Sequence, residues 1–223
     1  MRTHSKQTGF TLIEMIVSLG VFSVVITIAV GALLVLIATN QQLQAEQSVM
    51  TNLSFALDSM TREVRTGTNY YCVGATNYNQ FGPSGVFRGG IDIDDELGEQ
   101  TNDCFEGNDS DLNLQGVSFI EGGDSISGTA NERILFFYDG STADTGGKLY
   151  RKVGDEDPQS IVSAGLYITQ AEFFVTGSAP QSDGGGNDDQ PAVTIFIEAA
   201  ASDAVDEKTY YIQTTITQRT LDI

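Results

Sequence analysis

The chain has 223 residues, 40% of them hydrophobic and 18% charged, enough to bury the core of one medium domain or two small ones. Against 11 Lys and Arg stand 30 Asp and Glu, and the resulting formal charge of −19 disfavours a grip on nucleic acid or an anionic membrane by net charge. A single histidine, His4, and two cysteines, Cys72 and Cys104, exclude a His-based catalytic triad in the body of the chain and a zinc site of Cys and His ligands.

Residues 1–9 are polar and carry Arg2 and Lys6, and residues 10–38 are almost all apolar or small. That run exceeds the roughly 20 residues a helix needs to cross a bilayer core, and the basic leader places the N-terminus inside. A secretory signal peptide would end in a small-x-small cleavage site, whereas Ala38 is followed by Thr39, Asn40, Gln41 and Gln42. One charge interrupts the run. Glu14 in a bilayer costs about 2.5–3.5 kcal/mol on insertion scales, so either it reaches headgroups and water at the membrane edge or something pairs with it.

Gly9-Phe10-Thr11-Leu12-Ile13-Glu14, behind a basic leader and ahead of an apolar helix, resembles the type IV prepilin signature over residues 1 to about 38. The resemblance implies that a membrane prepilin peptidase cuts between Gly9 and Phe10 and that the new Phe10 amine is N-methylated. It implies that Glu14 pairs with the N-terminal amine of a neighbouring subunit, a match of buried opposite charges that fixes filament register. The protein it describes is a single pass of the cytoplasmic (inner) membrane with an extracytoplasmic head. Its partners are other pilins or pseudopilins, the peptidase and an inner-membrane assembly platform.

Past Ala38 the polarity rises with no proline until Pro83, and Leu43, Met50, Leu53, Leu57, Met60 and Val64 recur at helical spacing. A helix from Phe10 to about Arg65 would be roughly 84 Å long at 1.5 Å per residue, with Gly67 as its stop. The division expected is a leader at 1–9, a transmembrane or filament-core helix at 10–38, an amphipathic helix at 39–66 and a β-rich head at 67–223. Within the head, residues 68–128 read as loop with little strand. Runs of branched and aromatic residues at 133–138, 148–153, 166–175, 192–198 and 208–218 predict antiparallel strands of one sheet packed on the helix. The fold class is α+β, a lollipop. Residues 57–64, 148–151, 192–197 and 213–219 are similar to segments of the J-type minor pseudopilins of type II secretion systems.

Asp92, Asp94, Asp95 and Glu96 are the densest acidic cluster, and their oxygens suit Ca²⁺, although Glu96 and Gly98 break the EF-hand pattern. A solvated acidic loop is the other reading of the same residues. No other cofactor is expected. Cys72 and Cys104 lie outside the membrane in this topology, where thiols oxidise and only one pairing exists; two separately buried thiols are the alternative. Asp94 and Glu96 as acid and base for sugar chemistry would be one carboxylate pair among many, so no enzyme is expected. The rival function is a minor pilin of a DNA-uptake or adhesion pilus. Against direct DNA contact, the head carries seven basic and 26 acidic residues, and Lys148, Arg151 and Lys152 form its one local basic cluster.

Overall fold

The computed structural model describes residues 9–73, 93–104, 116–122, 132–140, 147–163, 165–179, 190–201 and 208–219. Two compact units divide between Ala45 and Glu46. Helix α1 (Leu12–Thr66) supplies all the regular structure of the first unit and the opening of the second. No proline falls within it, and Leu, Ala, Met, Gln and Glu recur along it, so nothing in its backbone chemistry interrupts the hydrogen-bond ladder.

In the second unit α1 buries a narrow stripe, Val49, Leu53, Ala56, Met60 and Val64, at spacings of four, three, four and four. Leu53 and Met60 are on it, as their spacing predicts, with Leu57 at its margin. Leu43 and Met50 are exposed instead, and the small side chains Val49 and Ala56 take up the contact in the second unit. Periodicity of the large side chains alone does not reveal that Val49 and Ala56 belong to the buried stripe.

The head has two antiparallel sheets among the described residues, not one. The first runs in chain order through β1 (Thr68–Val73), β2 (Gly116–Ile120), β3 (Arg133–Asp139), β4 (Lys148–Val153) and β5 (Gln159–Ser160). The second is β6 (Leu166–Thr176), β7 (Ala192–Ala201) and β8 (Thr209–Thr217). β1 and β2 fall in the stretch expected to hold little strand. β2 is buried at every residue, so its short run Gly-Val-Ser-Phe-Ile shows no polar alternation by which to recognise it.

Side-chain alternation assigns the faces. Tyr70, Cys72, Val117, Phe119, Ile134, Phe136, Leu149 and Val153 of the first sheet join the α1 stripe and the inner face of the second sheet in one core. On the opposite face Tyr71, Val73, Leu135 and Phe137 pack against the short helix α2 (Ile93–Leu97) through Ile93 and Leu97. Each large apolar side chain so buried contributes about 1.5–3 kcal/mol. In β6 the pairing with β7 slips between Ile168 and Gln170. Leu166 and Ile168 are buried before the slip, and Ala171, Phe173 and Val175 after it, so a one-residue bulge at Thr169 shifts the phase and keeps both halves facing the core.

The end of α1 is held by the head. Gly67 N–H donates to Glu63 O at 3.1 Å and Val64 O at 3.2 Å. The Tyr70 hydroxyl lies 2.5 Å from Val64 O and 2.8 Å from Gly67 O, and burial pushes its pKa well up, so it stays a proton donor. Arg219 N–H donates to Arg65 O at 2.8 Å, and Gln218 Nε2 to Gly67 O at 2.9 Å. The final carbonyls that a helix leaves unpaired thus find partners on β1 and just beyond β8.

Gly67 is required here by space, because a Cβ on it would overlap the Phe119 ring. Gly67→Ala is expected to lower stability by about 1–3 kcal/mol through overpacking. Most of that loss should vanish in a Phe119→Ala background, which denaturant unfolding of the four-member mutant cycle would measure.

Candidate functional site

The first unit shows why residues 9–14 stand out. Gly9 and Phe10 precede the helix, and Phe10 is 80% exposed. Thr11 opens the helix: its carbonyl accepts from Glu14 N–H at 3.1 Å and Met15 N–H at 3.3 Å. Glu14 therefore sits in the first turn, where the partial positive charge of the helix N-terminus favours a carboxylate. Among the described residues this carboxylate has no hydrogen-bond or ion-pair partner.

Every side chain of residues 9–44 is exposed, including Leu12, Ile13, Phe22, Ile28 and Leu36. This part of α1 is long and apolar enough to cross a membrane. The hydroxyls within it are already satisfied by their own helix: Ser18 donates to Met15 O and Ser23 to Leu19 O, both at 2.9 Å, and Thr27 to Ser23 O at 2.8 Å. Such internal bonds remove the cost of placing a hydroxyl in lipid. Glu14 cannot be satisfied in this way and is the one acidic or basic side chain of the stretch.

In the head, Cys72 and Cys104 are joined by a disulfide, with Cα atoms 5.8 Å apart. Residues 102–104 form a strip between the sheets. Asn102 pairs with β1, taking Cys72 N–H at 3.0 Å on its carbonyl, and Cys104 pairs with β6, exchanging two hydrogen bonds with Val175 at 2.8 and 2.9 Å. Between them the Asp103 carboxylate accepts from Gly177 N–H at 3.1 Å and Ser178 N–H at 2.7 Å. The bond thus fastens the strip that links β1 to β6. Neither Asn102 nor Asp103 stands out in the sequence, because two residues of bridge carry no periodic signal.

The acidic cluster is built differently from a solvated loop. Residues 93–97 form α2, whose apolar residues are core, and the Asp94 carboxylate accepts from Arg133 N–H at 2.6 Å. Asp95 is exposed, while Asp92 and the Glu96 side chain lie outside the described residues. No group of three or more potential metal-binding side chains gathers among the described residues. The residue sequence reasoning missed is Arg133. Its fully buried guanidinium donates to Asn69 O at 3.1 and 2.8 Å and to Gln100 O at 2.7 Å. Burial lowers its pKa to about 10, against the opposing pull of Asp94, so it is a cation at neutral pH and its carbonyl contacts are charge-assisted.

The basic cluster is likewise committed inward. Lys148 Nζ donates to Ser163 O at 2.9 Å and Leu166 O at 3.1 Å. Arg151 Nε reaches both carboxylate oxygens of Glu63 on α1, at 2.8 and 3.2 Å. Lys152 is buried and donates to Glu156 O at 2.7 Å.

The family model described as the prokaryotic N-terminal methylation motif matches residues 4–30. The match falls on the segment holding Gly9, Phe10 and Glu14 and supports a type IV pilin-like protein. With the exposed apolar helix it fits a membrane-anchored pilin or pseudopilin subunit, a structural class of protein. No curated protein and no solved structure matches the chain.

The disulfide closes a span of 32 residues, worth about 3–4 kcal/mol by loop-closure entropy. Reduction, or the Cys72→Ser and Cys104→Ser pair, is expected to lower the melting temperature by about 2–4 °C per kcal/mol, read by calorimetry. Non-reducing peptide mapping of protein from its native membrane should recover the joined pair.

Proposed function

We propose that this chain is a minor pilin or pseudopilin, a structural subunit that prepilin peptidase releases after Gly9 and that assembles through α1. The observation that carries the reading is the methylation-motif match over a helix whose side chains are all exposed as far as residue 44 and whose first turn holds Glu14, the one carboxylate of that stretch. In a membrane such side chains meet lipid; in a filament they meet the same helix of neighbouring subunits, and van der Waals packing replaces lipid contact. Arg2 and Lys6 favour an inner-membrane protein with its N-terminus inside. The head then lies on the oxidising side, which agrees with the Cys72–Cys104 bond.

Glu14 is the register device in this reading. A carboxylate without an internal partner is paired by the methylated Phe10 amine of the next subunit, and the charge that penalises a lone helix becomes an incentive to assemble. The machine is a type II secretion pseudopilus or a type IV pilus, and the weaker similarities at residues 57–64, 148–151, 192–197 and 213–219 favour the minor, J-type position of the former. Direct DNA capture in an uptake pilus is disfavoured, since Lys148, Arg151 and Lys152 are engaged inside the head.

Mass spectrometry of the membrane-extracted protein should give a chain beginning at N-methylated Phe10; an intact Met1 or a start beyond Ala38 would end the reading. Glu14→Ala is expected to insert at normal levels and keep the melting behaviour of the head, while crosslinking to partner subunits falls steeply. The lost buried pairing typically costs about 3–5 kcal/mol. Undiminished crosslinking and secretion in that variant would make Glu14 a tolerated interfacial carboxylate.

A further inference from the structure

β8 is the edge strand of the second sheet, paired on one side only, with β7, among the described residues. Its sequence, Thr-Tyr-Tyr-Ile-Gln-Thr-Thr-Ile-Thr, holds nine residues with no charge and no proline, and its pairing with β7 runs without a slip. Proteins ordinarily blunt such an edge with lysines, prolines, bulges or short length, and none of these is present within β8. In an edge strand alternate residues direct N–H and C=O away from the sheet. None of these backbone groups finds a partner beyond β7 among the described residues.

The open face beside this edge has a defined chemistry. Register places Gln170, Glu198 and Tyr211 in one row across the three strands, and Glu172, Phe196 and Gln213 in the next. Tyr211 is 64% exposed and stacks beside Phe196, with ring centroids 6.3 Å apart. Glu172 is held by Gln170 Nε2 at 2.6 Å, while the Glu198 carboxylate, opposite Tyr211, has no partner among the described residues. Meanwhile Arg151 and Lys208 are matched to Glu63 and Glu46. The exposed surface is thus acidic and aromatic next to an unpaired edge.

We propose that β8 and the row Glu198–Tyr211 form a docking site for an extended basic segment of a partner protein, which adds to the sheet as a fourth strand. Main-chain bonds to β8 provide the grip. Lys or Arg at alternate positions of the incoming strand meets the Glu198 carboxylate and the Tyr211 ring, combining ion pairing with cation–π contact. Charge selects the partner: a head of seven basic and 26 acidic residues repels a second copy of itself and attracts a basic chain. The inference stands apart from the filament reading, because it uses only the head.

The test uses the full-length protein in neutral detergent and three nine-residue peptide probes: alternating Lys and Val, alternating Glu and Val, and a Lys–Gly peptide of equal positive charge. Fluorescence anisotropy should show the Lys–Val peptide binding at least tenfold more tightly than either control, with affinity falling as salt rises. Amide hydrogen exchange should show new protection confined to β8. N-methylation of the Lys–Val peptide at alternate residues should abolish binding in one of the two phases, and Glu198→Gln should weaken it several-fold. Equal binding of Lys–Val and Lys–Gly would reduce the effect to non-specific charge and overturn the proposal. So would unchanged β8 exchange, or a dimer of the peptide-free protein joined through β8, which would make a second copy the occupant.

Discussion

The burial of one narrow stripe of α1 is the constraint from which the head follows. Val49, Leu53, Ala56, Met60 and Val64 share a core with the inner faces of both sheets, so neither sheet could close its apolar side without the helix. The same dependence governs the end of that helix. Its last carbonyls are satisfied by Tyr70 of the first strand and by Gln218 and Arg219, which follow the last. Helix termination and sheet closure are therefore one event, with the two extremes of the head meeting at Gly67.

Much of this was legible in the sequence because it is periodic. A long helix reads clearly from an uninterrupted apolar run followed by a helical repeat, and β6, β7 and β8 read clearly from alternation. The strands overlooked were those without alternation: β2 is buried throughout, and β1 continues directly from the helix stop. The division into two sheets was hidden because strand patterning does not say which strands pair, and residues 102–104, which link the two sheets, are a bridge too short to leave a pattern. At the N-terminal site, Gly9, Phe10 and Glu14 were visible as chemistry, since a charge inside an apolar run is conspicuous. Arg133 was not, because a buried cation serving backbone carbonyls looks the same in sequence as a surface one.

Charge in this molecule is distributed by use. Arg133 and Lys152 are buried and spent on carbonyl oxygens, Lys148 also serves carbonyls, and Arg151 and Lys208 close ion pairs to α1. These five cations thus work as fasteners within the head, while the excess of carboxylates over basic residues sets the field outside. A surface of this charge resists non-specific association and discriminates among neighbours by repulsion as well as attraction.

The bulge at Thr169 makes β6 sensitive to its length more than to its composition. Leu166 and Ile168 face the core in one phase, and Ala171, Phe173 and Val175 in the other, with Thr169 absorbing the difference. Deleting Thr169 would restore strict alternation with Leu166, Ile168, Ala171, Phe173 and Val175 all on the core face, whereas one extra residue within a paired half, with the bulge kept, would turn the apolar side chains beyond it to solvent. The Cys104 bridge at Val175 and the Gly147 bridge at Ile168 anchor the two halves separately, so the strand cannot slide to recover. An in-frame gain of one codon within a paired half of β6 is accordingly more damaging than most substitutions there, whereas loss of the Thr169 codon would remove only the bulge.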